Sequence, residues 1–291
     1  MRIKNPDAVK RKLTRMTALG KDNLQVRAFV YVHVASQVIS DFDWTMSKFL
    51  YKGEPNPTCH GIFEQAPDMT LEIQNQLHIL QKTYEPIEWD PTIPVSTKIP
   101  IMVEWWDSAQ KAIVTSNMHK DTLRATVNQC HLALRDYVGD FMVQLHRENI
   151  PLLIFSAGIG NVIELLLERF LLRFDNIQGL LIGFQEPIIH TYNKTIASFY
   201  TSDYINNVLS KRSSIILLGD SSADPSMVDG IPREGVDSDL SILKIGYLNN
   251  NVETLLDTYM DIYDIVLIDD ATFRIPLEVL NCIVHSESLD F

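Results

Sequence analysis

The chain has 291 residues, of which 46% are hydrophobic and 21% charged, a composition that suits a globular protein with a large core. Its formal net charge of −12 argues against a general nucleic-acid-binding protein, which needs a basic surface to meet phosphates. Three widely spaced cysteines argue against a disulfide scaffold, and without a long apolar run we expect a cytoplasmic protein that contacts no membrane.

The first predicted element is a short amphipathic helix. Asn5 and Pro6 supply an N-cap and a proline at the first helical position, and Gly20 supplies a stop. The apolar residues between them recur at helical spacing. The sequence therefore predicts a helix from Pro6 to Gly20.

The next segment is an apolar strand that ends in two carboxylates. Residues 32–40 are rich in β-branched and apolar types, and Asp41 and Asp43 follow directly. In open α/β sheets ligands bind at the carboxyl ends of strands. Two carboxylates suit Mg²⁺, and a carboxylate can also attack phosphorus. The bare Asp-x-Asp pattern is more often simply a polar loop.

A helical segment interrupts the strand pattern. The turn-rich stretch 53–57 marks a boundary. One periodic segment ends before Pro86, and a second runs without interruption from Asp121 to Leu145. We predict a helical cap domain at residues 58–139, inserted into a core made of residues 1–57 and 140–291.

After residue 150 strands and helices alternate. Short apolar runs lie at 151–155, 215–218, 243–246 and 265–268, with helical patterns at 161–174 and 253–260 between them. This alternation predicts an α/β fold with a doubly wound, mostly parallel sheet whose catalytic loops share one edge. Ser156 and Asp220 each follow one of these strands.

Four motifs together resemble one known family. They are Asp41-Phe42-Asp43-Trp44-Thr45, Phe155-Ser156-Ala157-Gly158-Ile159-Gly160, His190-Thr191-Tyr192-Asn193-Lys194 and Leu217-Leu218-Gly219-Asp220-Ser221. The chain resembles the cytosolic 5'-nucleotidase III family of haloacid dehalogenase-like phosphatases, which includes pyrimidine and 7-methylguanosine-phosphate-specific 5'-nucleotidases. The resemblance implies a haloacid dehalogenase-like core and a monomer that uses Mg²⁺ to hydrolyse nucleoside 5'-monophosphates.

The resemblance also implies the roles of the acidic residues. Asp41 would be the nucleophile and a metal ligand. Asp43 would be the general acid for the nucleoside 5'-oxygen, then the base for water, and would also ligate the metal through its backbone carbonyl. Asp220 would be the third metal ligand.

Further polar residues are expected to hold the phosphate. The hydroxyl of Ser156 and the amide of Ala157 would cradle phosphate oxygens at the start of a helix. By resemblance Lys194 would neutralise the phosphoryl group, while Asp224 and Thr45 would orient Lys194 or a metal-bound water. Judged alone, the segment at 156–160 is an ordinary tight turn, and a lone lysine is usually solvated.

The base would bind to the cap. Residues 102–106 resemble the family's Met-Val-Glu-Trp segment, which implies that Glu104 binds the base edge and that Trp106 stacks on the base. We pair Trp106 with Phe63. Methylation at N7 makes guanine cationic, so aromatic faces and a carboxylate form a suitable receptor. The alternative is that these aromatic residues are part of the cap core.

Three departures from the family pattern bear on activity. Residues 27–37 form an insertion before the nucleophile, Ala223 replaces a usual glycine, and the chain is shorter between Asn176 and Gly183. The leading hypothesis is a nucleotidase acting on 7-methylguanosine monophosphate and pyrimidine monophosphates. The alternatives are a catalytically impaired nucleotide-binding homologue and a phosphatase of sugar phosphates.

Overall fold

The protein is built on a five-stranded parallel sheet. The computed structural model describes residues 1–25, 36–67, 69–90, 92–116, 118–170, 193–196, 213–231 and 240–286. Its strands are β1 (Ser36–Ser40), β4 (Leu152–Ile154), β5 (Ser214–Gly219), β6 (Ser241–Tyr247) and β7 (Ile265–Leu267). The sheet has the order β4-β1-β5-β6-β7, and every adjacent pair is parallel. The predicted α/β class is confirmed.

Helices surround this sheet and form the segment between β1 and β4. A small hairpin of β2 (Leu50–Tyr51) and β3 (Glu54–Pro55) precedes them. The helices are α1 (Pro6–Gln25), α2 (Cys59–Glu64), α3 (Leu71–Trp89), α4 (Val95–Thr115), α5 (Lys120–Gln129), α6 (Val138–Arg147), α7 (Gly160–Arg169), α8 (Val252–Ile262) and α9 (Arg274–His285). Among the described residues no helix combines the length and apolar character needed to cross a membrane.

The sheet is covered on both faces. Val38 and Ile216 belong to one hydrophobic cluster, whereas their neighbours Ile39 and Leu217 belong to another. Alternate residues of a strand point to opposite faces, so each strand contributes to two cores. This double burial explains why the strands are continuous apolar runs.

The predicted uninterrupted helix from Asp121 to Leu145 is wrong. The structure has two helices there, α5 and α6, separated by residues 130–137. The connecting chain bonds to the segment after β1: the amide of Lys48 donates to the Ala133 carbonyl at 2.9 Å, and the amide of Arg135 donates to the Met46 carbonyl at 2.9 Å. These pairings satisfy backbone groups that a helix would otherwise bond internally.

Two predicted helix ends are also wrong. Helix α1 continues past Gly20 to Gln25, because a glycine favours a helix end without enforcing one. Helix α3 contains Pro86 and continues to Trp89. A proline inside a helix costs roughly 3 kcal/mol, and the packing of α3 against α4 opposes that cost.

The two connections between the core and the cap helices are joined by one asparagine. The buried Asn56 donates from Nδ2 to the carbonyls of Lys48 (2.8 Å) and Ala133 (3.1 Å). Its Oδ1 accepts from the amide of Ala133 at 3.0 Å. The predicted cap boundaries at 58 and 139 stay a prediction. Most of the insertion at 27–37, and the shortened segment between 176 and 183, lie outside the described residues.

Candidate active site

The carboxyl ends of three neighbouring strands meet at one cavity of about 1070 Å³. Asp41 and Asp43 follow β1, Ser156 follows β4, and Asp220 follows β5. This convergence results from the parallel order β4-β1-β5, which places the ends of all three strands at the same edge. The predicted residues that line the cavity are Asp41, Asp43, Trp106, Ser156, Ala157, Lys194, Asp220 and Asp224.

A buried ion-pair network lies at the floor of this cavity. The Nζ atom of Lys194 donates to Oδ1 of Asp41 at 2.5 Å and to Oδ1 of Asp224 at 3.0 Å. Burial opposes the charge of Lys194, but Asp224 and Asp41 outweigh burial and raise the lysine's pKa. Burial raises the pKa of Asp41, while the Lys194 ammonium opposes this rise. The network therefore keeps a cation beside the predicted nucleophile.

Asp224 is held by the turn after β5. Its Oδ2 accepts from the amides of Asp220 (3.0 Å) and Ser221 (2.9 Å). A Cβ on Gly219 would lie 2.4 Å from Cβ of Asp224, so this close approach requires glycine. Ala223 has φ −91°, so its replacement of a usual glycine causes no backbone strain.

Three carboxylates form a cluster that could hold a cation. One oxygen each from Asp41, Asp220 and Asp224 lie within 4.8 Å of one another. Burial, together with the nearby Asp41 and Asp224 charges, raises the pKa of Asp220 well above its ordinary value. The hydroxyl of Thr45 donates to Oδ1 of Asp220 at 3.4 Å. Such an oxygen set is the kind that Mg²⁺ prefers.

Asp43 has a different environment. Its Oδ1 accepts a hydrogen bond from the amide of Cys59 at 3.0 Å, at the start of α2. Burial raises its pKa to about 6, although the bond from Cys59 opposes this. A carboxyl group with this pKa can carry a proton near neutral pH and later lose it.

The loop after β4 brings amides and a hydroxyl to the cavity. The amide of Gly158 donates to Oγ of Ser156 at 3.0 Å, and α7 begins shortly afterwards. A Cβ on Gly158 would lie 2.9 Å from Oδ2 of Asp43. The missing side chain therefore lets this loop approach the acidic turn.

The indole rings of Trp105 and Trp106 also line the cavity. The rings of Trp105 and Trp106 have centroids 5.5 Å apart at 24°, and Tyr84 stacks on Trp105 at 5.8 Å. His60 lies 4.8 Å from the Trp106 ring, and burial lowers its pKa to about 4. This wall offers flat apolar faces and a neutral imidazole above the acidic floor.

Two residues predicted to bind the base, Phe63 and Glu104, do not belong to the described lining of the cavity. Phe63 is 7% exposed and packs in the hydrophobic core. Glu104 is exposed on α4 and accepts a hydrogen bond from the hydroxyl of Tyr84. Burial raises the pKa of this hydroxyl, and Glu104 raises it further. Both roles stay predictions that the cavity lining does not support.

The sequence alone did not indicate several residues at this site. The cavity wall contains three further carboxylates, Glu64, Glu85 and Glu88. It also contains Lys98, whose Nζ donates to the Glu88 carbonyl at 2.6 Å. None of these four residues belongs to a motif, so only the helical phase could have indicated that they face inward.

An Asp-x-Asp turn after an inner strand of a parallel sheet, a lysine paired with its first carboxylate and a third aspartate after the adjacent strand define a haloacid dehalogenase-like phosphohydrolase. The pyrimidine 5'-nucleotidase (UMPH-1) family model matches residues 44–284. The chain therefore belongs to this family of phosphoric monoester hydrolases. The matched region contains Lys194 and Asp220 and begins directly after the Asp-x-Asp pair.

Individual relatives agree with this assignment. The chain is 35% identical to 7-methylguanosine phosphate-specific 5'-nucleotidase A of Xenopus laevis, across 98% of this chain and 94% of that protein. It is 39% identical to the human 7-methylguanosine phosphate-specific 5'-nucleotidase, across 84% and 82% respectively. A solved structure of cytosolic 5'-nucleotidase IIIB bound to cytidine superposes with a TM-score of 0.83, at 30% identity and 98% and 93% coverage.

Proposed function

We propose that this protein is a Mg²⁺-dependent 5'-nucleotidase that converts nucleoside 5'-monophosphates to nucleoside and phosphate through an aspartyl phosphate on Asp41. The observation that carries this proposal is the 2.5 Å contact of Asp41 with Lys194 at the floor of the cavity. A carboxylate and a cation side by side suit attack on a phosphoryl group whose charge must be neutralised.

In the first step a carboxylate oxygen of Asp41 attacks phosphorus. The bond from phosphorus to the nucleoside 5'-oxygen breaks, and the leaving oxygen takes the proton of Asp43. Burial supports this role, because it raises the pKa of Asp43 to about 6. Lys194 and the hydroxyl of Ser156 bind the phosphoryl oxygens, and the amide of Ala157 adds a donor.

In the second step water attacks the phosphorus of the aspartyl phosphate. Asp43 now carries no proton and accepts one from that water. The bond between phosphorus and the Asp41 oxygen breaks, which releases inorganic phosphate and regenerates the carboxylate. One residue thus acts as acid and then as base.

The donor set fits Mg²⁺. Asp41 and Asp220 would hold the ion with their carboxylates, together with the backbone carbonyl of Asp43. Asp224 belongs to the same cluster, but its oxygens already accept from Lys194 and two backbone amides. We therefore assign Asp224 and Thr45 to orienting Lys194 and Asp220. The bound ion would neutralise charge on the phosphoryl oxygens.

The cap wall supports a nucleoside as the leaving group. Trp106 offers an aromatic face, and a base stacked there would lie near His60. The relatives named for 7-methylguanosine phosphate, and the related structure that contains cytidine, support a purine and a pyrimidine substrate. A sugar phosphate would leave these aromatic faces unused.

Charge favours the methylated purine. Among the described residues that residues 58–139 contribute to the cavity lining, the carboxylates are Glu64, Glu85 and Glu88 and the only lysine is Lys98. A cationic 7-methylguanine is attracted both to these carboxylates and to an indole face, whereas neutral guanine is not. The related solved structure is that of a cytosolic 5'-nucleotidase, which supports a cytosolic location. We also propose that the protein is a monomer.

Phosphate release tests the proposed function. The purified protein is given 7-methylguanosine monophosphate, GMP, CMP, UMP and AMP, each with Mg²⁺ or with a chelator. We expect turnover of the first and of the pyrimidine nucleotides, and loss of turnover with the chelator. Binding of these nucleotides without phosphate release would support the catalytically impaired homologue in place of the enzyme.

A further inference from the structure

Arg135 is the most completely bonded cation described in the structure, and it lies beneath the active site. Its side chain has 0% exposure, and its guanidinium carbon lies 4.2 Å from the centroid of the Tyr247 ring. Its five N–H groups donate to the carbonyl of Thr45 (2.9 Å), the carbonyl of Trp44 (2.7 Å), Oδ1 of Asn249 (2.7 Å), Oδ1 of Asp270 (2.8 Å) and the carbonyl of Ala271 (2.6 Å). A guanidinium has five such donors, so every one is used.

Two of these acceptors belong to the turn that carries the predicted nucleophile. The carbonyls of Trp44 and Thr45 follow Asp43 directly, and both face Arg135. Trp44 has φ 59°, a left-handed conformation that costs a residue other than glycine roughly 1 to 2 kcal/mol. A turn with this strain needs bonds from outside itself to keep its shape.

A third acceptor extends the network to Asp220. Oδ1 of Asn249 accepts from Arg135, so the amide nitrogen of Asn249 must point the other way. That nitrogen donates to the Trp44 carbonyl at 3.1 Å and to Oδ2 of Asp220 at 3.4 Å. Arg135 therefore determines which way the Asn249 amide faces, and Asn249 connects the nucleophile turn to the carboxylate after the neighbouring strand.

We propose that Arg135 is a positioning residue which, through Asn249, fixes the turn of residues 41–45 relative to the Asp220 carboxylate. This inference rests on the proposed function, since the two groups it aligns are those assigned to the nucleophile and to the cation. The residue touches no reacting atom. It acts on catalysis by holding two carboxylates at the spacing that the reaction uses.

Lysine cannot replace this arginine. A lysine ammonium keeps the charge, but it has three donors on a flexible stem and no planar face to lie on Tyr247. An Arg135→Lys variant therefore loses at least two of the five bonds while the charge beside Asp270 remains. Any effect of this substitution therefore results from the changed arrangement of the N–H donors and not from the loss of a positive charge.

Arg169 provides a matched control. Its guanidinium also donates to backbone carbonyls, those of Val127 (2.7 Å), Cys130 (2.8 Å) and Leu132 (2.7 Å). It also lies over an aromatic ring, that of Phe170, at 4.7 Å. Arg169 is not among the described residues that line the cavity. Arg169→Lys therefore removes a similar network without altering a described residue of the cavity lining.

The experiment compares Arg135→Lys, Arg169→Lys, Asn249→Ala and the double variant Arg135→Lys/Asn249→Ala. We measure the melting temperature, kcat and KM with a nucleotide substrate, and Mg²⁺ affinity by calorimetry without substrate. Partners that orient ligands are worth roughly 10- to 100-fold in activity or metal affinity. We expect Arg135→Lys to lose that much in kcat and in Mg²⁺ affinity, with KM changed less than about threefold, the pattern of a misaligned catalytic group.

Coupling separates this route from general destabilisation. If Arg135 acts through Asn249, the double variant has nearly the kcat of Arg135→Lys alone, because residues of one network are not additive. Arg169→Lys lowers the melting temperature but leaves kcat within about twofold, since it removes no contact at the site. Equal kcat values for Arg135→Lys and Arg169→Lys would overturn the inference, and so would effects that multiply in the double variant.

Failure of this inference can be distinguished from failure of the proposed function. If Arg135→Lys does not fold, Asn249→Ala decides alone, and unchanged kcat and Mg²⁺ affinity in that variant overturn the inference. If the wild-type protein releases no phosphate from any nucleotide, the proposed function fails. Calorimetry on the same variants still tests the positioning of Asp220, because it needs no turnover.

Discussion

Asp41 and Lys194 are separated by 153 positions in the chain, yet Oδ1 of the first accepts a hydrogen bond of 2.5 Å from Nζ of the second. Their side chains are 9% and 3% exposed. Removing such a pair from water costs several kcal/mol per ion, so a buried ion pair is poor evidence of stability. Its presence at the carboxyl end of β1 is better explained by the chemistry of a phosphoryl group.

Replacing Lys194 by methionine should affect both activity and stability. Asp41 and Asp224 would then face each other without their shared cation, at a cost of roughly 3 to 5 kcal/mol in the free energy of unfolding at neutral pH. Activity should fall below detection, because nothing would neutralise the phosphoryl oxygens at that position.

Denaturant unfolding without Mg²⁺ measures the first effect, and phosphate release measures the second. The control is Lys111→Met, which breaks an exposed pair with Asp107 and should change stability by less than about 1 kcal/mol. A Lys194→Met variant as stable and active as this control would contradict the assigned role.

A methyl group on Gly158 should disturb the acidic turn. The new Cβ would lie 2.9 Å from Oδ2 of Asp43 and 3.1 Å from Cβ of Cys59. We expect Gly158→Ala to lower kcat by roughly tenfold or more, because small displacements of catalytic groups are costly.

The control substitution is Gly53→Ala. Gly53 has φ 84°, with nothing within 4 Å of an added Cβ, so this change strains the backbone by about 1 kcal/mol without touching the cavity. It should lower the melting temperature and leave kcat unchanged. Were Gly158→Ala to retain full kcat, the close approach of the two loops would have no catalytic importance.

Trp106 should set the preference for a methylated base. Removing its indole in Trp106→Ala should lower the ratio of kcat/KM for 7-methylguanosine monophosphate over GMP by roughly tenfold, since a partly desolvated cation–π contact is worth about 1 to 2 kcal/mol. These two substrates differ by one methyl group and one charge.

Val103→Ala, an exposed position on the same helix, is the control and should leave the ratio unchanged. A ratio that survives the loss of Trp106 would assign selectivity to the carboxylates of the wall instead of to stacking.

His60 should make stability depend on pH. Burial lowers its pKa from 6.5 to about 4, so between these values the unfolded chain binds a proton that the folded protein does not. The contribution of a neutral His60 is complete above pH 6.5 and is lost as the pH falls towards 4, by at most about 3 kcal/mol.

Unfolding free energies of the wild type and His60→Gln at pH 7, 6, 5 and 4 measure this effect. Their difference should shift in favour of the variant as the pH falls. A difference between the wild type and His60→Gln that stays constant over this pH range would mean that the imidazole is solvated.

Local patterns predicted the parts of the site that follow strands. Asp41, Ser156 and Asp220 each stand where an apolar run ends, and parallel strands bring such ends to one edge. The sequence did not indicate Arg135 or Asn249, because their partners are distant in sequence and because Arg135 lies in an irregular connection. No periodicity marks a residue of this kind. The wrongly predicted continuous helix also included residues 130–137, so no loop was expected there.

To place the predicted base-binding residues, one must know which side of α4 faces the cavity, and this helix is apolar on more than one side. Successive residues of a helix point about 100° apart. Nearness in sequence therefore does not put Glu104 and Trp106 on the same side of α4. Trp105 and Trp106 line it, whereas Glu104 does not belong to its described lining. Tertiary packing set this phase, and the sequence pattern left it open.

The most direct test of the account is to trap the phosphoryl group on the protein. The enzyme is mixed with 7-methylguanosine monophosphate or CMP and Mg²⁺, quenched, and reduced with borohydride, which converts an aspartyl phosphate to homoserine. Peptide mass spectrometry should find homoserine at position 41, only when nucleotide is present, and not in Asp41→Asn. Steady turnover with no homoserine at position 41, or full activity of Asp41→Asn, would contradict the account.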